Sequence, residues 1–89
     1  VTYKLKSGMR DAFLKTMSES GILEDVLKED GIVRYHYYLD ESNPDIILLV
    51  EEWLTAEHQK KHLETPHMTR FQPIKAEYIL ETIVEKAEI

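Results

Sequence analysis

The 89-residue chain contains no cysteine and only three glycines and three prolines. Without cysteine the fold cannot depend on disulfides, and a thiolate nucleophile or a thiolate metal site is excluded. No apolar run approaches the roughly 20 residues that a membrane-spanning helix needs. No signal-peptide pattern opens the chain, so we expect a cytoplasmic protein that does not enter a membrane.

Positive charge is also scarce. Eleven lysines and arginines stand against 17 aspartates and glutamates, which gives a formal net charge of −6 at pH 7. Basic residues such as Lys60 and Lys61 are too mixed with acids to form the stripe that follows a phosphate backbone. Nucleic acid is therefore not expected as a partner. The length and the 43% hydrophobic content suit a single domain over residues 1–89 with one modest core.

Alternating side chains and turn signals predict four strands. A short strand opens the chain at residues 1–6, and residues 32–39 are rich in β-branched and aromatic side chains. The turn formers DESNP lead from that strand into a third at residues 45–54, which makes a hairpin. A last strand is predicted at residues 78–88, with Ile79 and Ile83 on one face.

Apolar residues at helical spacing predict a helix at residues 9–20 and a shorter one from Ile22 to Glu29. Thr55 is a good N-cap for a helix at residues 56–64, and Pro66 suits the first turn of another short helix. The order strand, helix, strand, strand, helix, strand predicts an α+β, ferredoxin-like βαββαβ fold. In that fold both helices lie on one face of a four-stranded antiparallel sheet.

The third strand, IILLVEEWL at Ile46–Leu54, is apolar on both faces. An antiparallel strand with one face in water should alternate apolar and polar residues. A chain this short cannot easily cover both faces of its own sheet. We therefore expect a homodimer in which two sheets pack face to face.

Glu51 and Trp53 share one face of this strand, in a region that should be buried. A buried carboxylate costs free energy unless it is paired. Glu51 is therefore either structurally paired or has a catalytic or substrate-orienting role. Trp53 is the only tryptophan, and it is either a core residue or a flat wall on which a planar substrate stacks.

Three histidines follow the strand. His58 and His62 are four residues apart, a spacing that can bind a metal, but the spacing places no third ligand, so we expect no metal site. His62 is a candidate general base, because the pKa of histidine lies near working pH. His67 either closes the same pocket, caps a helix or lies on the surface.

Tyr35 and Tyr37 share a face of the second strand. Tyrosines on a half-buried sheet are usually packing residues, but in a pocket their hydroxyls would orient an oxygen-rich substrate. The chain has no Gly-rich phosphate loop, Rossmann fingerprint or nucleophile elbow. It offers no visible means of holding a flavin, a nicotinamide or a nucleotide, and we expect no cofactor.

These residues resemble the antibiotic biosynthesis monooxygenase family. The string Glu51-x-Trp53, then His62, then Thr65-Pro66-His67, is similar to the family's E-x-W, H and [ST]-P-H pattern. Two further segments match its E-x-G-C-x-x-Y and K-P-G elements: Asp30-Gly31-Ile32 with Tyr35, where Ile32 replaces the cysteine, and Lys6-Ser7-Gly8 with Phe13. The resemblance covers nearly the whole chain.

The resemblance implies a dimeric α+β barrel whose pocket lies between the sheet and the helices. Characterised members oxygenate quinols and polycyclic phenols without metal or flavin, because the deprotonated substrate itself reduces oxygen. It implies that His62 removes a proton, that Trp53 stacks on the substrate and that Glu51 orients His62 or a substrate hydroxyl. The expected substrate contacts are Tyr35, Tyr37, His67 and His58, although the family commonly has a small apolar residue where His58 stands.

Other members of this fold set the alternatives. Haem-degrading relatives use an asparagine on the first strand, which reads VTYKLK here, so haem degradation is not expected. Further relatives process a phosphorylated signalling diketone. The sequence thus predicts cofactor-independent oxygenation of a small quinol-like or polyphenolic aromatic by a homodimer that uses molecular oxygen. The alternatives are isomerisation of a small, phosphorylated dicarbonyl and a non-catalytic small-molecule binding domain.

Overall fold

The structure is a computed structural model that describes residues 1–87. The strands are β1 (Thr2–Leu5), β2 (Ile32–Leu39), β3 (Ile46–Trp53) and β4 (Ile79–Ile83). The helices are α1 (Arg10–Ser20), α2 (Ile22–Leu27), α3 (Ala56–His62) and α4 (Pro66–Tyr78). The four strands form one antiparallel sheet in the order β2-β3-β1-β4. This confirms the predicted ferredoxin-like α+β fold.

The register of the strands sorts their side chains onto two faces, since Cα partners on neighbouring strands point the same way. One row crosses all four strands on the face away from the helices: Tyr38, Leu48, Thr2 and Ile83. On β3 the neighbouring residues Ile47 and Leu49 point to the helices and are 0% and 1% exposed, whereas Leu48 is 42% exposed. We call these two sides the covered face and the open face.

The core lies between the covered face and the helices. Apolar positions four residues apart give α1 and α2 one buried side each. The buried apolar side chains are Tyr3, Leu5, Phe13, Met17, Ile22, Val26, Ile47, Leu49, Met68, Phe71, Tyr78 and Ile79. Phe13 is central: its ring meets the rings of Tyr3, Tyr37 and Tyr78 at centroid distances of 6.0, 5.9 and 6.0 Å, in edge-on geometry.

The C-terminal part differs from the prediction. Helix α4 continues to Tyr78, although Tyr78 was expected to begin the last strand. Its side chain is buried and its hydroxyl lies 3.0 Å from the Thr16 hydroxyl, so tertiary packing outweighs the strand preference of tyrosine. Strand β4 ends at Ile83, and residues 84–87 have no regular structure. Residue 88, the predicted end of the strand, lies outside the described residues.

The predicted pairing of faces in the last strand was also wrong. Lys4 pairs with Glu81, whereas the next residue, Leu5, pairs with Ile79. The register therefore shifts between them, and Leu80 has no partner position on β1. Such a bulge reverses the alternation of every residue beyond it. Ile79 therefore lies in the core, whereas Ile83 joins Thr2 on the open face. Sequence alternation alone had placed Ile79 and Ile83 together.

Candidate functional site

Glu51 and Trp53 share one face of β3, as its alternation predicted, and the structure shows that this is the covered face, with Ile47 and Leu49. The indole Nε1 of Trp53 donates a hydrogen bond to Oε1 of Glu51 at 3.1 Å. This contact gives the partly buried carboxylate a structural partner, one of the two alternatives left open by the sequence. Among residues 1–87 no donor contacts the second carboxylate oxygen of Glu51, which is available to a ligand.

His62 is the most deeply buried polar residue of this region, with 1% of its surface exposed. Its ring lies between two aromatic rings: the Trp53 ring at a centroid distance of 4.8 Å and the Tyr35 ring at 5.7 Å. His62 is the last residue of α3, so the end of that helix delivers it to the covered face beside β3 and β2. The packing holds the imidazole in one place.

The partner of His62 is Glu29, a residue to which the sequence analysis gave no role. Nδ1 of His62 lies 2.6 Å from Oε2 of Glu29, and Nε2 of His67 lies 2.8 Å from the same oxygen. The side chains of Glu29 and His67 are each only 11% exposed. One carboxylate oxygen thus joins two imidazole rings in a largely buried cluster. Glu51 was expected to orient His62 or a substrate hydroxyl; it hydrogen-bonds to Trp53, and orientation of a substrate hydroxyl stays a prediction.

The turn between α3 and α4 brings the two histidines to Glu29. The Thr65 side chain accepts a hydrogen bond from the Met68 amide at the start of α4 and donates one to the His62 carbonyl. Pro66 occupies the first turn of α4, where its missing N–H costs nothing. Thr65 therefore ties the end of one helix to the beginning of the next, and His62 and His67 face the same carboxylate.

Gly31 lies in the short turn between Glu29 and the start of β2 at Ile32. Its φ is +82°, in the left-handed region that favours glycine. A Cβ atom at this position would lie 2.2 Å from Cγ of His58, so the His58 ring occupies the space that any other residue would need. Nδ1 of His58 pairs with the Thr55 hydroxyl at 2.7 Å, and Nε2 lies 3.4 Å from Asp30. His58 thus supports this turn from outside the Glu29 cluster.

Three tyrosines surround the Glu51 end of the site. Burial raises the pKa of Tyr3, Tyr35 and Tyr37 well above the ordinary value, and the nearby Glu51 carboxylate raises each further. These phenols therefore keep their protons at neutral pH. They are suited to donate hydrogen bonds rather than to remove protons.

The Tyr37 hydroxyl is buried, and within residues 1–87 it has no hydrogen-bond partner. Buried polar groups are almost always paired, because an unpaired one costs about 1–3 kcal/mol. An orphan donor on the same strand face as Tyr35 is a natural point for a ligand oxygen or a water molecule to bind.

Glu29, His62 and His67 are the residue types that bind transition metals, and their ligand atoms lie within 4.8 Å of one another. The separations of 2.6 and 2.8 Å from the carboxylate oxygen to the two nitrogens are hydrogen-bond lengths. Ligands on a tetrahedral metal with bonds of about 2.1 Å would stand roughly 3.4 Å apart. The spacing of these atoms is therefore that of a hydrogen-bonded triad rather than that of ligands around a metal.

The structure brings together most residues that the sequence singled out. Glu51, Trp53, His62 and Tyr35 form one continuous group, to which Tyr37 joins through Tyr35 at a ring distance of 6.4 Å. His67 reaches it through Glu29. His58 contacts Thr55 and Asp30 instead, and a substrate contact from it stays a prediction.

Glu29 was overlooked although a signal for it was present. The E-x-G-C-x-x-Y element aligns its glycine with Gly31 and its tyrosine with Tyr35, which puts its glutamate at Glu29 rather than at Asp30. Glu29 lies in the turn after α2, which ends at Leu27, two residues before the predicted end. Tyr3 was also missed as a site neighbour, because on a short first strand it is indistinguishable from a core residue.

Comparison with known proteins identifies the family. The sequence model for "Antibiotic biosynthesis monooxygenase" matches residues 1–74. The chain belongs to this family. It is also similar to a protein of Escherichia coli strain K12 named "Probable quinol monooxygenase YgiN", with 34% identity over 58 residues. That similarity spans about half of either protein, 56% of this chain and 56% of the relative.

Solved structures share the fold at lower identity. A conserved protein from Methanosarcina mazei Go1 is 23% identical, with a TM-score of 0.79 over 91% of this chain and 78% of its own. A crystal structure of an antibiotic biosynthesis monooxygenase is 22% identical, with a TM-score of 0.72 over 93% and 94%. These likenesses establish the architecture. Within residues 1–87, no helix is both long and apolar enough to cross a membrane.

Proposed function

We propose that this family member is a cofactor-independent monooxygenase acting on a small quinol-like or polyphenolic aromatic. The observation that carries the proposal is the environment of the His62 ring. The ring is buried, its centroid lies 4.8 Å from that of the Trp53 ring, and it is hydrogen-bonded to Glu29. It combines a candidate base with a flat aromatic wall at a buried position. Family membership supports a monooxygenase-type activity.

The chemistry follows from the residues. His62 takes a proton from a phenolic hydroxyl of the substrate, and the resulting electron-rich anion supplies the electrons that reduce molecular oxygen. For a naphthoquinol, one oxygen atom enters the ring and the other leaves as water, so quinol plus O₂ gives a hydroxyquinone plus water. A general base of this kind typically contributes about 10² to 10⁴ in rate.

The neighbours of His62 have matching roles. Trp53 stacks on the substrate ring, and the protonated Tyr35 and Tyr37 donate hydrogen bonds to substrate oxygens. The free oxygen of Glu51 accepts from a substrate hydroxyl. Because His62 is 1% exposed, a substrate that reaches its ring has to displace part of the aromatic cover.

Charge argues against the phosphorylated form of the alternative substrate. The site contains two carboxylates, Glu29 and Glu51, which repel a phosphate. Several basic side chains are engaged elsewhere: Arg10 on backbone carbonyls of the β2–β3 loop, Lys4 with Glu81, Arg34 with Glu52 and Arg70 with Asp25. A neutral, hydroxyl-bearing aromatic suits this environment better than a phosphorylated dicarbonyl.

The test is oxygen uptake by the purified protein with a panel of reduced naphthoquinones, before and after treatment with a chelator. We expect uptake above the uncatalysed rate, unchanged by the chelator, and one atom of labelled oxygen in the product. Activity that is lost on chelation and restored by one metal would contradict cofactor independence. Anaerobic isomerisation of a dicarbonyl without oxygen uptake would favour the isomerase, and ligand binding without any turnover would favour a binding domain.

We also propose that two copies of the chain pack through their open faces. Tyr38 and Leu48 are 46% and 42% exposed there, and Ile46, Val50 and Ile83 are only partly buried. A shallow depression of about 360 Å³ lies among Tyr38, Leu39, Leu48 and their neighbours. An obligate interface of this kind buries on the order of 2,000 Å² or more. The cytoplasmic location and the single domain over residues 1–89 stay predictions.

A further inference from the structure

We infer that Glu29 is a positioning residue that holds His62 in the tautomer protonated on Nδ1, so that Nε2 of His62 is the free basic nitrogen. The inference rests on the proposed function only in calling His62 the base. The contact itself, 2.6 Å between Nδ1 of His62 and Oε2 of Glu29, joins residues 33 positions apart in sequence. The fold therefore brings the turn after α2 next to the end of α3, and the two side chains meet there.

The tautomer follows from hydrogen-bond chemistry. An ionised carboxylate has no hydrogen to give, so both nitrogens that contact Oε2 of Glu29 must carry one. His62 therefore donates through Nδ1, and His67 donates through Nε2. A neutral imidazole has one donor and one acceptor, which leaves Nε2 of His62 with a lone pair. Within residues 1–87 no second hydrogen bond involves the His62 ring.

The arrangement is held from both sides. The His62 ring packs against Trp53 and Tyr35, so it cannot turn over without displacing them. His67 binds the same oxygen of Glu29 at 2.8 Å and restrains the carboxylate in turn. His67 thus acts on the base through Glu29, and a substrate contact from His67 stays a prediction.

Glu29 also matters once the proton has moved. When His62 accepts a proton on Nε2, a positive charge forms on a side chain that is 1% exposed. A buried charge is costly unless a paired group compensates it. The Glu29 carboxylate is in direct hydrogen-bond contact with that ring, so it stabilises the imidazolium where it forms. Its removal should lower kcat and leave KM nearly unchanged.

The direct test is nitrogen-15 NMR of the histidine rings in the purified protein, which distinguishes the two tautomers without any turnover. We expect His62 to be protonated on Nδ1 in the wild type, and Glu29→Gln to shift it towards the tautomer protonated on Nε2. The matched control is Asp30→Asn, the adjacent carboxylate, which is 98% exposed and contacts His58. It should leave the His62 signals unchanged.

Kinetics supply the second readout. With a quinol that supports oxygen uptake, Glu29→Gln should lower kcat by about 10²-fold, because the base is in the wrong tautomer, and change KM less than about twofold. A wild-type His62 protonated only on Nε2 would overturn the inference, whether or not Glu29→Gln folds. So would a folded Glu29→Gln with wild-type spectra and kcat. If no quinol is oxidised, the proposed function fails, and the NMR result still decides the role of Glu29.

Discussion

On each side of the sheet a histidine ring lies 4.8 Å from an aromatic ring, and only one of the two pairs forms a candidate site. On the covered face His62 meets Trp53, and on the open face His36 meets Tyr38. His62 is buried and hydrogen-bonded to a carboxylate, whereas His36 is exposed. Ring contact alone therefore does not distinguish the two. Burial and a fixed carboxylate partner do, because they select one tautomer and exclude water.

Charged groups differ between the faces in the same way. The open face carries Arg34–Glu52 and Lys4–Glu81 pairs, both at 3.2 Å and each about half exposed. Exposed pairs of this kind contribute about 0–1 kcal/mol. Glu29, next to the covered face, is 11% exposed and shared by two imidazoles, so losing either partner would leave a largely buried carboxylate short of a hydrogen bond, which is costly.

The largest expected effect tests the two histidines against each other. His62→Ala should lower turnover with a quinol by about 10² to 10⁴, with little change in KM, because only proton transfer is lost. His36→Ala is the matched control and should change turnover less than about twofold. The measurement is oxygen consumption, with folding checked by circular dichroism. Full turnover in a folded His62→Ala protein would show that the base is another group.

Alkaline pH should act through the covered face. Burial raises the pKa of Tyr3, Tyr35 and Tyr37 above the ordinary value of 10.0. Above about pH 10 the unfolded chain loses these protons while the folded chain keeps them. The free energy of unfolding is therefore highest below about pH 10 and falls as the pH rises above it. Each tyrosine contributes about 1.4 kcal/mol per pH unit to the decline.

Chemical denaturation between about pH 9 and 11, followed by fluorescence of Trp53, measures this slope. Tyr37→Phe removes one of the three protons and should make the decline less steep by about one third. A free energy of unfolding that stays constant over this range would mean that the three phenols titrate alike in the folded and unfolded chains.

Leu48→Glu should disrupt association of two chains through the open face. If that face is the dimer interface, a buried unpaired charge there costs about 3 kcal/mol or more, and the dimer dissociation constant should rise by about 10²-fold or more. Sedimentation velocity across a dilution series measures it. Leu27→Glu, at a leucine 58% exposed on the helical side, is the control and should leave association unchanged. A wild type that is monomeric at micromolar concentration would refute the proposed dimer.

The smallest expected effect on stability comes from Tyr37→Phe, and the variant Tyr38→Phe is its control. Tyr37→Phe removes a buried hydroxyl that has no partner among residues 1–87, so it should change the free energy of unfolding by less than about 1 kcal/mol or raise it. It should raise KM for the quinol by about two- to tenfold, which is the worth of one hydrogen bond. Tyr38→Phe on the open face should leave KM unchanged. Equal KM values in both variants would remove Tyr37 from the site.

Local patterns were sufficient to predict the frame of the molecule. The alternation along Ile46–Leu54 placed Glu51 and Trp53 on one face, and Thr55 does accept from the His58 amide as the N-cap of α3. Element order was enough for the ferredoxin-like topology. These features follow from the two-residue period of strands and from capping chemistry, both of which depend only on neighbours in sequence.

The tertiary structure decided the features that join distant parts of the chain. The contacts of Glu29 with His62 and His67 span 33 and 38 residues, and no local period encodes them. The bulge at Leu80 and the extension of α4 to Tyr78 likewise depend on how β4 pairs with β1 and how Tyr78 packs. Sequence by itself determined that Glu51 and Trp53 share a face of β3, because alternation in a regular strand depends only on neighbouring residues. Only the packing of helices against the sheet determined which carboxylate would meet the buried histidine.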